Sequence, residues 1–201
     1  ATARRLGEIT LPEVILTDQE RGGERNVLGS ADAPVELVEF SDFRCPACMQ
    51  ANLALGDHIE QLVSDGTVRY VRKHMLVIDP DDTSLNAAEA VECAADQGYY
   101  WAFHDLLFAN QTGHGQKWTR DAMKQYAREL GLDTQAFNEC MDRKTHRDKV
   151  LADNTEAYGT PGITGTPSYL VNGELLRLRS FLDVIDAVQA AAGQTTGQGG
   201  S

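Results

Sequence analysis

Residues 35–78 read VELVEFSDFRCPACMQANLALGDHIEQLVSDGTVRYVRKHMLVI, and this stretch constrains the fold more than any other. Val35, Leu37, then Val38 and Phe40, with acids between them and Asp32-Ala33-Pro34 before, predict a short strand. Met49, Leu53, Ile59 and Val63 then fall near one helical face, and Ser64-Asp65-Gly66 stops the helix. A second strand follows in TVRYVRKHMLVI. The order is strand, CPAC, helix, strand, so Cys45 and Cys48 open the helix of a βαβ unit.

That placement carries chemistry. A thiol attacks as thiolate, and free cysteine has a pKa of about 8.5. A helix N-terminus offers unpaired N–H groups and partial positive charge, which favour a thiolate at Cys45. Pro46 suits the first helical turn because it lacks the N–H that would go unpaired there. Cys48 lies one turn on, within bridging reach, where it can release a mixed disulfide formed at Cys45. Half a zinc site is the competing reading, but the chain has no second CxxC and its histidines show no H-x3-5-H spacing. A purely structural bridge over so short a loop would stabilise little.

From Ser84 to about Tyr158 the pattern is mostly helical, with stops at Gly131 and Gly159 and an N-cap signal at Asp133. Tyr99, Tyr100, Trp101, Phe103 and Phe108 read as core of this block, or in part as a groove for peptide. Strand signals return in TPSYLVNG, turn at Asn172-Gly173, and continue in ELLRLR. A last helix begins at Ser180, with Asp183 three on and a stripe of Phe181, Val184, Ile185 and Val188. Proline after Gly165-Thr166 and before a strand is a candidate cis peptide, against an ordinary trans turn. Residues 1–26 read as an N-terminal extension, 27–192 as one α/β domain with a helical insert at about 83–158, and 193–201 as a disordered Gly-rich tail.

Together, CPAC after VELVEFSDF, the block AAEAVECAADQGYYWAFHDLLF with LGLDTQAFNECM, and GTPSYLVNG resemble the DsbA family. Its members are thiol:disulfide oxidoreductases with an α/β, thioredoxin-like fold and a helical insertion. The resemblance covers roughly residues 27–190. It implies that Pro167 is cis beside the Cys45–Cys48 pair, and that the Thr166 backbone pairs with a substrate peptide flanked by Pro46 and Ala47. It implies a buried acid at Glu39 serving the proton of Cys48, with Asp42 competing for that role. It also implies a structural disulfide between Cys93 and Cys140. Ala47 departs from the histidine of the best-known members, which implies a less stabilised thiolate and a less oxidising disulfide.

The activity implied is extracytoplasmic. The Cys45–Cys48 disulfide, with no further cofactor or metal, passes to unfolded or partly folded cysteine-containing proteins through a mixed disulfide at Cys45. A quinone-linked membrane thiol oxidase then restores it. Alternatives are a reductase or isomerase of the same fold, or a peptide-binding module without redox function. The net charge of -12 and pI near 4.7 speak against nucleic-acid binding. No stretch is apolar for the roughly 18 residues of a membrane span, so any anchor would be a removed N-terminal segment. The protein is expected to be a monomer in the periplasm or another extracytoplasmic space.

Overall fold

The computed structural model describes residues 4–6, 9–12, 14–77, 79, 81–113 and 117–197. Strands β1 (Arg4–Leu6) and β2 (Ile9–Leu11) pair antiparallel by themselves. Strands β3 (Gly23–Glu24) and β4 (Val27–Leu28) form a second hairpin. Then come β5 (Val35–Ser41), α1 (Pro46–Ser64) and β6 (Val68–His74), the βαβ unit. Five helices follow: α2 (Thr83–Ala95), α3 (Tyr100–Ala109), α4 (Arg120–Leu130), α5 (Thr134–Arg143) and α6 (Arg147–Gly159). The chain closes with β7 (Ser168–Val171), β8 (Glu174–Leu175) and α7 (Asp183–Gly197).

The larger sheet has six strands in the order β3-β4-β6-β5-β7-β8. Strand β5 lies inside it, parallel to β6 from Val35↔Val68 to Ser41↔His74 and antiparallel to β7 from Leu37↔Val171 to Phe40↔Ser168. The fold is α/β and thioredoxin-like, with the helical block inserted between β6 and β7. One face of β5 turns Val35 and Leu37 into the main core, with Val68, Tyr70 and Tyr169 of its neighbours and Val184 and Val188 of α7. The opposite face buries Phe40 with Met75, Ala157 and Ile163. Burying one large apolar side chain stabilises by roughly 1.5–3 kcal/mol.

Helix α2 is buried along its whole length. Its run of alanines lets α3, α4, α5 and α6 approach closely, as small side chains must where a helix is enclosed. Its two buried acids are paired: Glu89 with Arg120 and Arg147, Glu92 with His74, Lys149 and Arg25. A Cys93–Cys140 disulfide ties α2 to α5. Tyr100, Trp101, Phe103 and Phe108 are buried insert core.

Several boundaries differ from the sequence reading. The inner stripe of α1 is Cys48, Ala51, Leu55, Ile59 and Leu62, and Leu53 is exposed. Strand β6 ends at His74, because Leu76 and Val77 turn their N–H groups to the Asn154 and Asp42 side chains (Ile78 lies outside the described residues). Only Glu174–Leu175 of ELLRLR is strand, at the sheet edge. Arg179 and Ser180 donate to the Asp183 carboxylate, and tight i→i+3 bonds precede α7, which starts at Asp183 rather than Ser180. That helix runs to Gly197, so residues 193–197 are helical and not a disordered tail; residues 198–201 lie outside the described set. The segment before residue 27 is packed in part: β3 joins the sheet, and buried Asp18 caps α3 by accepting from the N–H groups of Tyr100 and Trp101.

Candidate active site

Cys45 is the N-cap of α1, with extended backbone at φ -76 and ψ 118. Its sulfur accepts from the Cys48 N–H at 3.4 Å, as an N-cap side chain does for an orphan donor. Pro46 occupies the first turn, and that turn contains no acid to oppose a thiolate. Cys45 is half-buried and Cys48 fully buried, and both are free thiols.

The two sulfurs hold their protons very differently. The Cys48 thiol, hydrogen-bonded to Cys45, is the main cause that brings Cys45 down to about 6. Burial opposes this, while the Thr166 side chain and the N–H groups of Cys48 and Ala47 add to it. Cys48 moves well above the ordinary thiol range, first through burial, then through Cys45 and the charge of Glu39. At neutral pH the pair therefore presents one solvent-facing thiolate backed by one protonated thiol.

The peptide bond Thr166–Pro167 is cis, and the Cys45 thiol donates to the Thr166 carbonyl oxygen at 3.5 Å. Thr160–Pro161, the other Thr-Pro step, is trans. The Thr166 hydroxyl is buried and has no hydrogen-bond partner among the described residues. A thiolate is a stronger acceptor than a thiol, so this hydroxyl favours the ionised form of Cys45. Ala47 brings a methyl group and its backbone N–H to the site.

Glu39 is buried, only 6% exposed, on the same face of β5 as Val35 and Leu37. Its register partners are Arg72 on β6 and Tyr169 on β7, so the three share one row across the sheet. The Tyr70 hydroxyl donates to its carboxylate. Asp42 does other work: its carboxylate accepts from the N–H groups of Arg44 and Val77 and from the Ser84 hydroxyl. Those bonds fasten the loop before Cys45 to the insert, and the charge of Glu39 acts on Cys48. A cavity of about 330 Å³, lined by Glu39, Ala51, Tyr70, Trp101, Asp105 and Glu60 among others, reaches from Glu39 to exposed Glu60 along α1.

Two site residues escaped the sequence reading. Arg72 is wholly buried, with its guanidinium carbon 3.9 Å from the Phe43 ring centre and a bond to the Tyr100 hydroxyl at 3.3 Å. Two of its nitrogens, Nε and Nη2, find no partner among the described residues. The signal was present: Val68, Tyr70 and Arg72 keep a period of two, which points Arg72 inward. Gln111, just past α3, donates to the carbonyl oxygens of Phe43 and, at 3.1 Å, Cys45, and so holds the CPAC turn from outside. No local pattern marks such a residue.

Comparison with known proteins matches the geometry. The family model described as thioredoxin fits residues 22–189. A Bacillus cereus protein called probable disulfide bond formation protein D is 31% identical over 153 residues, covering 74% of this chain and 70% of its own. The Na(+)/H(+) antiporter NhaA 3 of Salinispora tropica is 38% identical over 148 residues, covering 74% of this chain but 22% of the antiporter. The chain thus spans about a fifth of the length of that relative. The oxidised crystal structure of BdbD from Bacillus subtilis superposes with a TM-score of 0.73 at 26% identity, covering 84% of this chain and 93% of the other.

Proposed function

The chain belongs to the DsbA-like thioredoxin family, and from that premise we propose that it is an extracytoplasmic thiol:disulfide oxidoreductase that donates the Cys45–Cys48 disulfide to folding proteins. The observation that carries this reading is the proton asymmetry of the pair, with Cys45 at about 6 and Cys48 raised.

In the oxidised enzyme a substrate thiolate attacks Cys45 Sγ, and the Cys45–Cys48 bond breaks. Cys48 leaves as a thiolate and takes a proton, which the Glu39 carboxylate is placed to relay from the solvent-reaching cavity. The second substrate thiolate then attacks the substrate sulfur of the mixed disulfide and expels Cys45. Cys45 is a good leaving group because its thiolate is stabilised at the head of α1. The substrate gains a disulfide, and the enzyme leaves with two electrons and one proton on its dithiol. The Thr166 backbone, next to cis Pro167, offers the substrate an edge to pair with. A quinone-linked membrane thiol oxidase is the reoxidant this cycle calls for. Among the described residues no helix is long and apolar enough to cross a membrane.

Equilibration with glutathione buffers tests the direction of electron flow. A potential at or above about -180 mV marks a disulfide donor, whereas about -270 mV marks a reductant and overturns the proposal.

A further inference from the structure

We propose that reduction of the Cys93–Cys140 disulfide uncovers a zinc site made by Cys93, Asp96, Cys140 and His146. Cys93 lies on α2, and Asp96 caps that helix three residues later. Cys140 lies on α5, and His146 is the N-cap of α6. The turn of α2 and the short α5–α6 connection bring the four together. Asp96 Oδ2 is 3.8 Å from Cys140 Sγ and 2.7 Å from His146 Nε2. The donor atoms of Asp96, Cys140 and His146 all lie within 4.8 Å of one another, and Cys93 Sγ is bonded directly to Cys140 Sγ.

Two sulfurs, one imidazole nitrogen and one carboxylate oxygen are a donor set that suits tetrahedral zinc. The oxidised pair cannot serve, because a metal binds thiolate and not disulfide sulfur. With zinc–sulfur bonds of about 2.3 Å, tetrahedral sulfurs stand roughly 3.8 Å apart. The Cα atoms are 5.9 Å apart, so rotation of the two side chains supplies the separation without moving the helices. Arg25 Nη1 already holds Asp96 Oδ1 at 2.8 Å, which leaves Oδ2 for the metal. Two thiolates and a carboxylate around a dication leave one negative charge, and the Arg25 guanidinium balances it. Asp96 is exposed, and Cys140 and His146 are half-buried, so an ion reaches the site from solvent.

The chemistry balances. A dithiol reductant gives two electrons and two protons to the Cys93–Cys140 bond and becomes a cyclic disulfide. Zinc then binds the two thiols as thiolates and releases both protons. Loss of the covalent tie between α2 and α5 is thereby answered by a metal tie at the same place. This site is separate from the Cys45–Cys48 reading and does not depend on it.

The test uses the full chain carrying Cys45→Ser and Cys48→Ser, so that Cys93 and Cys140 are the remaining thiols. It is reduced with a phosphine, which water converts to the phosphine oxide as the disulfide becomes two thiols. Cobalt(II) is the probe. One equivalent bound by the reduced protein, with thiolate charge-transfer and tetrahedral d–d bands that zinc abolishes, and none bound by the oxidised protein, is the expected result. His146→Gln and Asp96→Asn should each weaken binding by at least about tenfold, since losing even a group that only orients a ligand costs that much. Equal cobalt uptake in both redox states overturns the proposal. So does a reduced-state spectrum that His146→Gln leaves unmoved, because thiols of an unfolded chain would behave that way.

Discussion

The Cys45 sulfur and the Thr166 carbonyl oxygen lie 3.5 Å apart although 121 positions separate them in the chain. The same residue carries a buried hydroxyl that helps hold the Cys45 pKa down. Thr166→Val keeps the shape and removes that donor. The Cys45 pKa of the reduced protein should rise, read as the ultraviolet absorbance of the thiolate on pH titration. An unmoved titration would mean that the hydroxyl does not reach the sulfur.

Stability of the reduced form should follow pH through this pair. Cys45 titrates at about 6 when folded and near 8.5–9 when unfolded, a lowered pKa. Its contribution is therefore complete above about pH 9, and it is lost as pH falls to about 6. Cys48 has the opposite sign: its raised pKa costs stability once the unfolded thiol ionises above about pH 8.5. The oxidised protein lacks both groups. Measured against the oxidised protein, the Tm of the reduced protein should fall from about pH 8.5 down to about pH 6 and level off below. A gap independent of pH across that window would remove the thiolate from the account.

Glu39→Gln keeps a partner for the Tyr70 hydroxyl and deletes the charge beneath Cys48. Because that charge helps hold Cys48 protonated, the Cys48 pKa should fall. Disulfide transfer at pH 7 should slow by on the order of tenfold to a hundredfold, at or below the low end for a general acid. Stopped-flow exchange with a dithiol peptide measures it. Unchanged rate and unchanged Cys48 titration would leave Glu39 a structural acid only.

Ala47→His places an imidazole beside the head of α1. The Cys45 pKa should fall further, and the potential should rise by about 30 mV or more, the equivalent of a tenfold change in the exchange constant. A fall in potential would reverse the electrostatic argument for this position.

The double variant Cys93→Ser with Cys140→Ser opens a loop of sequence separation 47. Chain entropy puts the loss at about 4 kcal/mol, read from urea unfolding. Exchange at Cys45 should persist, because neither residue touches the pair. Loss of exchange at full folded population would give the insert disulfide a role in the reaction.

The βαβ unit and the helical block were legible because each rests on a periodic apolar pattern over many residues. Strands β3 and β4 were not, since two residues each carry no period; they exist because β6 offers them an edge. Tail residues 193–197 look like linker by composition, yet Val184, Ile185 and Val188 dock α7 and propagation carries it on. CPAC, Thr166-Pro167 and the insert cysteines could be named from sequence, the last two with the help of the family resemblance. The inward face of Glu39 follows from its parity with Val35 and Leu37, but the Tyr70 hydroxyl that meets it there does not. Asp42 carries three hydrogen bonds that fasten its loop, a role that no local pattern marks. Gln111 reaches the CPAC turn across 66 residues, a distance at which local sequence is silent.

One covalent bond also decides what a protease can do to this molecule. Cys45 and Cys48 precede Cys93, while Thr166 and Pro167 follow Cys140. A single cut anywhere between Cys93 and Cys140 would yield two fragments, each holding half of the site. The disulfide would keep them one particle on a non-reducing gel, with both halves still facing each other. Only added reductant would let the nick show.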